Sequence, residues 1–337
     1  MKKTLLAIAA MVAMVACNND YVVKEAAPEA ISFENMFVDN ATRIDDKSLT
    51  KNNLENFAVY GSVTNNSNTA LIFDNVEVNK TITNNDLSHL DGWRYAGTQY
   101  WIEGAAYDFA AVAPYGCSQA DDFNTNTKKT TIEFTNDGVT DLLYAQTTDT
   151  GLASGNTAVG FTFRHTLSKV KFSFENQYLS TGTTIAVRNI VLTNPHKTAT
   201  VVLDATNTVW DAHATANDFT IAFGDTENTT GVAATSIAQD TEWESANARF
   251  IIPGKAGEAY TYTVAFKVDI LYGTTVIKTY DHTASLTFNP AAATAYDIKT
   301  VINHENIDPN NSQEPIEFTV TAVEDWANYT DQTATID

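Results

Sequence analysis

Short stretches of alternating apolar and polar residues recur along the chain, and this periodicity restricts its fold more than any other feature. Valine, threonine and aromatic residues fill these stretches, and turns containing asparagine or glycine separate them. Examples are residues 57–63, 161–167, 170–174, 199–203, 219–223, 260–268 and 284–288. Alternation with a period of two is typical of half-buried strands, and regularly spaced turn signals are typical of β-sandwiches. No convincing helical pattern follows residue 17, so the sequence predicts an all-β fold.

The first residues predict export and lipid attachment. Lys2 and Lys3 precede an apolar run over residues 5–16, which is too short to cross a bilayer as a helix and has the length of a signal-peptide core. The run ends at Cys17, and a polar stretch follows. This arrangement is similar to a bacterial lipobox and predicts a lipoprotein signal peptide over residues 1–17, with acylation at Cys17. The alternative is a soluble secretory signal with an incidental cysteine.

Length and charge limit the domain number and the partners. At 337 residues the chain is too long for one ordinary core, so we predict a tether over residues 18–30 and two β-sandwich domains, 31–155 and 156–337. The boundary is placed in the Gly/Ser/Thr/Asn-rich stretch 151–160. A net charge of −21 disfavours nucleic acid as a partner. Cys117 is the only cysteine after Cys17, so the mature chain is predicted to have no intrachain disulfide.

The sequence carries no motif that predicts catalysis, a cofactor or a metal. It has no Gly-rich phosphate loop, nucleophile elbow or Cys-x-x-Cys, and its histidines lack the helical spacing of a metal pair. His165 alternates with apolar neighbours and is predicted to be a hydrogen-bonded core histidine. Glu242 and Glu244 flank a tryptophan and could suggest the two carboxylates of a glycosidase, but adjacent acids arise readily by chance in so acidic a chain. The sequence therefore predicts a protein that is not an enzyme, with no catalytic residue, cofactor or metal ligand.

A group of aromatic residues leaves two interpretations open. Trp93, Tyr95, Tyr100 and Trp101 lie on both sides of a turn at Gly97. They could form an exposed platform that binds sugar or protein. Packing of a hairpin into the core is favoured, since cross-strand aromatic pairs are a common way to stabilise hairpins.

Six sequence motifs occur in a characteristic order behind the lipoprotein signal. They are residues 41–43 (Ala-Thr-Arg), 54–60 (Leu-Glu-Asn-Phe-Ala-Val-Tyr), 100–111, 141–145 (Asp-Leu-Leu-Tyr-Ala), 163–170 and 316–326. Taken together they resemble the fimbrillin family of Bacteroidales, the subunits of type V pili, over nearly the whole mature chain.

The resemblance implies a fold and an assembly route. It implies two tandem transthyretin-like β-sandwich domains after a lipoprotein signal peptide, with export to the outer membrane through the lipid on Cys17. An arginine-specific protease then removes the leading segment with the first strand. The groove left behind accepts a strand from the C-terminal part of another fimbrillin subunit, which builds a fimbria for cell adhesion. No host ligand is indicated.

Individual residues take the roles that the resemblance implies. Ile31, Phe33 and Phe37 share one face of an alternating stretch and are expected to form the removable first strand. Arg43, the only arginine between residue 17 and Arg94, is the expected cleavage site. Capping of a surface turn by Arg43 is the alternative, and Lys47 and Lys51 are secondary candidates for the cut.

The end of the chain leaves the subunit's role open. Ile316, Phe318, Val320 and Ala322 alternate on one face and are the candidate donor strand. They could equally be the last strand of the second domain, which would make the weakly apolar residues 329–337 the donor. The sequence is therefore compatible with a stalk subunit, a tip or accessory subunit, or an anchor that retains its lipid. A monomeric surface lipoprotein that binds glycan or host protein is the competing hypothesis.

Overall fold

The computed structural model describes residues 28–38, 49, 53–80, 92–178, 180–215, 219–225, 242–245, 247–255, 258–310 and 314–323. Cys17, the tether up to residue 27, Arg43, Lys47, Lys51 and residues 324–337 lie outside the described residues. Within the described ranges, regular secondary structure consists of strands, which confirms the predicted all-β class. None of these residues forms a helix long and apolar enough to cross a membrane.

The described residues form twenty strands, numbered in chain order. The first ten are β1 (Phe37–Val38), β2 (Asn56–Asn65), β3 (Asn68–Lys80), β4 (Trp93–Tyr95), β5 (Ala106–Ala113), β6 (Ser118–Asn124), β7 (Lys129–Thr135), β8 (Leu143–Thr150), β9 (Thr162–His165) and β10 (Ser168–Asn176). The others are β11 (Thr183–Thr193), β12 (His196–Leu203), β13 (Thr208–Thr215), β14 (Thr220–Gly224), β15 (Glu242–Glu244), β16 (Arg249–Ile251), β17 (Tyr260–Tyr272), β18 (Thr275–Phe288), β19 (Thr294–Ile302) and β20 (Thr319–Val323).

A seven-stranded sheet organises the first half of the chain, in the order β1-β9-β8-β5-β2-β3-β4. Both of its faces are buried, which explains the unbroken apolar run in β5. Phe57, Val59 and Phe109 contribute to a first core on one face. Tyr60 and Val112, from the same strands, contribute to a third core on the other face. A four-stranded sheet, β13-β12-β7-β6, is the other main contributor to the third core.

Two further sheets enclose the second core. One has the order β15-β10-β19-β20, with β16 also paired to β10, and the other has the order β14-β11-β17-β18. Strands β10 and β19 run parallel from Ser168–Thr294 to Asn176–Ile302, while the other pairings within these two sheets are antiparallel. Alternate residues such as Phe172, Val187, Val264 and Ile298 face inward. These two sheets face each other as a β-sandwich.

The sheets do not divide at the predicted boundary near residue 155. Strand β9 pairs with β8 in the seven-stranded sheet, and β12 pairs with β7. The third core consequently joins residues from both predicted domains, among them Tyr144 before the boundary and Leu167, Trp210 and Phe250 after it. Turn composition carries no information on these pairings, because the later hairpin β12–β13 returns to the first half of the chain. The two-domain organisation itself stays a prediction.

The shared core predicts that Trp210→Ala destabilises the whole chain. Trp210 is buried, packs against Phe134 at 6.0 Å between ring centroids, and donates from Nε1 to the carbonyl of Thr166 at 2.8 Å. Loss of the ring should reduce the free energy of unfolding by about 3–5 kcal/mol, as measured by urea denaturation. Val209→Ala is the matched control, since Val209 is 55% exposed. Equal effects of the two substitutions would contradict the shared core.

Candidate functional site

Residues 28–38, called here the N-terminal segment, lie between the two ends of the seven-stranded sheet. Phe33 forms an antiparallel bridge with Trp93 of β4 and a parallel bridge with Val159, just before β9. Farther on, β1 pairs in parallel with β9, with Val38 opposite Phe163. One short segment, which itself includes β1, therefore contacts β9 on one side and β4 on the other, and the space it occupies is called the groove.

Backbone hydrogen bonds hold the N-terminal segment on both sides of the groove. On the β4 side, Ile31 N–H donates to Gln99 O (2.8 Å) and Trp101 N–H donates to Glu29 O (2.9 Å). On the β9 side, three bonds join the segment to Val159 and Phe161. They are Val159 N–H to Ser32 O (2.8 Å), Glu34 N–H to Val159 O (3.0 Å) and Phe37 N–H to Phe161 O (2.8 Å). Removal of the segment would leave unpaired donors and acceptors along both walls, which another extended chain can satisfy.

The side chain of Phe33 is the centre of the first core. It is 1% exposed, and its ring centroid lies 5.6–6.3 Å from five other rings, those of Phe57, Phe73, Tyr95, Phe109 and Phe161. Gly61 makes room for two of them, because a Cβ there would stand 2.9 Å from Phe73 and 3.0 Å from Phe109. An empty groove would therefore expose a deep aromatic pocket to water.

The predicted facing of the first strand is correct for Ile31 and Phe33 and wrong for Phe37. Ile31 and Phe33 are buried, but Phe37 is 50% exposed. The alternation is interrupted at Asn35, whose φ of 55° lies in the left-handed region that asparagine tolerates. This shifts the inward positions by one residue, so that Met36 and Val38 are buried instead. The sequence pattern did not reveal this because a single left-handed residue reverses the faces of all residues after it.

A binding site for the carboxylate of Glu29 lies at the start of the groove. The N–H groups of Gly155 (2.8 Å) and Asn156 (2.7 Å) and the Asn156 side-chain amide (2.6 Å) all donate to it. These three donors are called the carboxylate cradle. The Gly155 N–H, followed by the Asn156 amide and N–H, holds the pKa of Glu29 below its ordinary value. Gly155 has a φ of +75°, which glycine adopts without strain.

Turn composition gives no indication of the cradle or of the loop that carries it. Residues 151–160, the predicted interdomain connector, bind the N-terminal segment. Asn156 is fixed in the loop, because its Oδ1 accepts from Leu152 N–H (2.7 Å) and its Nδ2 donates to Leu152 O (3.0 Å). Isolated polar residues in a tether and a loop carry no periodic signal.

Beyond the N-terminal segment, the chain is anchored again at Leu49. Its N–H donates to Asp141 Oδ2 at 2.9 Å, and its side chain packs against the first core. Asp141 is buried and also contacts His165 Nδ1, at 3.1 Å from Oδ1 and 3.0 Å from Oδ2. His165 is thus a hydrogen-bonded core histidine, as predicted. Arg43 lies between the anchors at Val38 and Leu49 and is itself outside the described residues.

The candidate donor strand lies within its own chain. Residues 314–323, called here the C-terminal segment, end in β20, which pairs with β19 at the edge of its sheet. Ile316, Phe318 and Val320 are half-buried against the second core, and Ala322 is exposed. Phe318 lies 5.8 Å from Phe172 between ring centroids. The segment is thus the last strand that the structure describes, and residues 329–337 lie outside the described range. Which of the two is the donor stays a prediction.

The aromatic group around Gly97 packs mainly into the first core. Trp93 and Trp101 are buried, Tyr95 packs against the core, and Tyr100 is 50% exposed. The predicted hairpin is absent from this part of the structure, since β4 pairs with β3 and Tyr100 bridges Ala30. The hydroxyl of Tyr95 donates to Ile31 O at 2.9 Å, so this side chain also holds the N-terminal segment in place. Three of the four side chains therefore support the groove or its core.

A polar cleft of about 280 Å³ lies at the hairpin β12–β13. The lining includes His196, His213 and Tyr260, with Asp211, Lys255 and Glu258 around them. His196 is buried, and its ring lies 4.5 Å from that of His213 and 4.3 Å from that of Tyr260. Burial, with a smaller contribution from His213, lowers the pKa of His196 to about 4. Among the described residues, no group of three or more His, Cys, Asp or Glu side chains is placed to hold a metal ion.

Comparison with known proteins identifies relatives of the chain. A sequence model of a family described as fimbrillin-like matches residues 42–326. A crystal structure of a fimbrial protein from Bacteroides vulgatus is similar, with 19% identity, a TM-score of 0.54, and coverage of 87% of this chain and 98% of that one. A proposed cell adhesion protein from Bacteroides ovatus has 13% identity, a TM-score of 0.51, and coverage of 89% and 98%. No match is found among the curated proteins.

The aromatic pocket predicts that Phe33 contributes much more to the free energy of unfolding than the nearby Phe37. Phe33→Ala should reduce the free energy of unfolding by about 3–5 kcal/mol, because it leaves a cavity among five rings. Phe37→Ala, at a position that is 50% exposed, should reduce it by less than about 1 kcal/mol. Urea denaturation of the uncleaved protein measures both. A Phe37→Ala effect as large as that of Phe33→Ala would contradict the observed facing of the segment.

The buried histidine predicts loss of stability in acid. The pKa of His196 is about 4 in the folded state, against about 6.5 when unfolded. The unfolded chain therefore binds more protons between these values, and stability falls as the pH drops from 6.5 towards 4. In His196→Phe, the decrease in the free energy of unfolding between pH 7 and pH 5 should be smaller than in the wild type by about 2 kcal/mol. His304→Gln, at an exposed position, is the control, and an unchanged pH profile in His196→Phe would contradict the assignment.

Proposed function

The chain belongs to the fimbrillin-like family, and we propose that it is a structural, non-enzymatic subunit of a cell-surface fimbria that joins its neighbours by strand exchange. In this proposal the N-terminal segment occupies the groove until a protease releases it. A strand of another subunit then takes its place. The fimbria serves cell adhesion.

The contact of the N-terminal segment with both ends of the seven-stranded sheet is the observation that carries the proposal. It supplies hydrogen bonds to both walls and an aromatic side chain to the centre of the core. Such a groove is filled best by another extended chain with alternating apolar residues. A contact in which one subunit donates and the next accepts does not close on itself, so it propagates into a filament.

The anchor at Leu49 supports removal of the segment at Arg43. A cut after Arg43 or Lys47 would leave Leu49 bonded to Asp141, so the new chain start would remain attached to the first core. A cut after Lys51 would detach that anchor, which favours the earlier sites. We therefore retain Arg43 as the proposed cleavage site for an arginine-specific protease. We also retain Cys17 as the lipid attachment that first holds the subunit on the outer membrane.

The position of the C-terminal segment favours one alternative role. Because this segment is paired with β19 in its own chain, a subunit that accepts a strand but keeps its own is a second candidate. That behaviour fits a tip, accessory or anchor subunit. A monomeric surface lipoprotein would instead leave the N-terminal segment in place.

Treatment of the full chain, with and without Cys17→Ala, by an arginine-specific protease tests the proposal. We expect one early cut after Arg43, release of the leading peptide, and a ladder of denaturant-resistant multimers, measured by mass spectrometry and gel sizing. Arg43→Gln is the control that should stay uncut and monomeric. A clean cut without multimers would indicate the accepting-only role, and an uncut wild-type chain would refute the proposal.

A further inference from the structure

The two ends of the described chain carry the same short sequence pattern. Glu29, Ile31 and Phe33 recur as Glu314, Ile316 and Phe318, with identical spacing. Isoleucine two residues before phenylalanine also occurs at residues 132–134 and 221–223, but only the two terminal copies have a glutamate two residues earlier. The pattern therefore distinguishes the two segments from the other strands.

Each of the three residues of the N-terminal copy has its own binding site in the groove. The carboxylate cradle binds Glu29 through three donors. Ile31 is 2% exposed, and Phe33 fills the aromatic pocket. The groove therefore selects a carboxylate, an aliphatic side chain and an aromatic ring at alternating positions.

The C-terminal copy is bound less completely in its own chain. Glu314 is exposed, and Ile316 and Phe318 are half-buried at a sheet edge. Transfer into a groove would bury both apolar side chains and give the carboxylate three donors. The gain in buried apolar surface would favour exchange.

We infer that the groove of one copy binds the C-terminal segment of a second copy in the register that places Glu314 in the carboxylate cradle. Ile316 then takes the position of Ile31, and Phe318 takes the position of Phe33. The inference rests on the proposed function, in which a strand of another subunit fills the groove, and adds the register and the residues that select it. Within the groove, the cradle is the part that distinguishes a carboxylate from an uncharged side chain.

The backbone of the C-terminal segment is compatible with this register. Pro315 takes the position of Ala30, and proline has no N–H to donate. The bonds on the β4 side use the carbonyl of Glu29 and the N–H of Ile31, so they require no N–H from the residue between them. A proline is therefore tolerated at this position.

Beyond Phe318 the incoming strand differs from the segment it replaces. Val320 corresponds to Asn35, but a β-branched residue strongly disfavours the left-handed conformation that Asn35 adopts. The strand therefore stays regular and directs Val320 and Ala322 inward, in place of Met36 and Val38. The register also excludes residues 329–337 as the first donor, because they contain neither glutamate nor phenylalanine.

Competition with synthetic peptides tests the register. The full chain is cut after Arg43, and peptides of residues 312–324 are added in trans, with native mass spectrometry to count bound peptide and released segment. The wild-type peptide should bind, Glu314→Gln should bind roughly fivefold more weakly, and Phe318→Ala should bind at least about tenfold more weakly. Glu317→Gln is the matched control, because residue 317 faces away from the groove in this register, and its affinity should equal that of the wild type.

Different outcomes separate the inference from the proposed function. Binding of the wild-type and Glu314→Gln peptides with equal affinity would overturn the register while leaving strand exchange intact. Preferential binding of a peptide of residues 326–337 would overturn the choice of donor. If no peptide binds, including one of residues 28–40, and no multimers form, the proposed function itself fails.

A change in the cradle provides an independent test. Asn156→Asp replaces an amide donor by a carboxylate, which repels Glu314 but accepts a hydrogen bond from a glutamine amide. With this variant the order of the two peptide affinities should reverse, so that the Glu314→Gln peptide binds more tightly than the wild-type peptide. An unchanged order would overturn the contact between Glu314 and the cradle. A variant that fails to fold leaves the decision to the peptide series on the wild-type chain.

Discussion

The packing of Phe33 among five aromatic rings is the interaction on which the first half of the chain depends. Those rings come from β2, β3, β4, β5 and the approach to β9, so the residue joins strands from across the whole sheet. Apart from β1, which belongs to this segment, the sheet ends in β9 and β4, and the segment pairs with residues at both of these ends. The same segment is connected to the remaining chain only through residues 39–48 and is therefore removable by a single cut. A central aromatic side chain of the first core is thus supplied by a segment that one cut would separate from the rest of the described chain.

The two terminal segments form an asymmetric pair. The N-terminal segment is bonded on both sides and deeply buried, whereas the C-terminal segment is paired on one side and only half-buried. In the proposed strand exchange, cleavage would be needed because a well-fitted strand occupies the groove. The C-terminal segment would leave its own chain at lower cost, because an edge strand breaks only one ladder of hydrogen bonds.

Uncharged hydrogen-bond donors, not basic side chains, bind the carboxylate in the cradle. The chain carries a net charge of −21, and copies of it repel one another at long range. The cradle binds a carboxylate through two backbone N–H groups and one amide, which act only at contact distance. In the proposed exchange, recognition between copies would therefore depend on register and shape. The third core, built from both halves, joins the groove to the part of the chain that carries the C-terminal segment.

The sequence alone determined the all-β class, the family, the core histidine and the apolar character of Ile31, Phe33 and Ile316, because period-two alternation and motif order are local signals. Only the tertiary structure decided which face Phe37 takes, where the sheets divide and what Glu29 binds. The left-handed Asn35 reverses the alternation, and β12 pairs with a strand from the other half of the chain. The cradle brings together residues 126 and 127 positions apart. Such contacts are set by how sheets pack in three dimensions, and a local pattern carries no record of them.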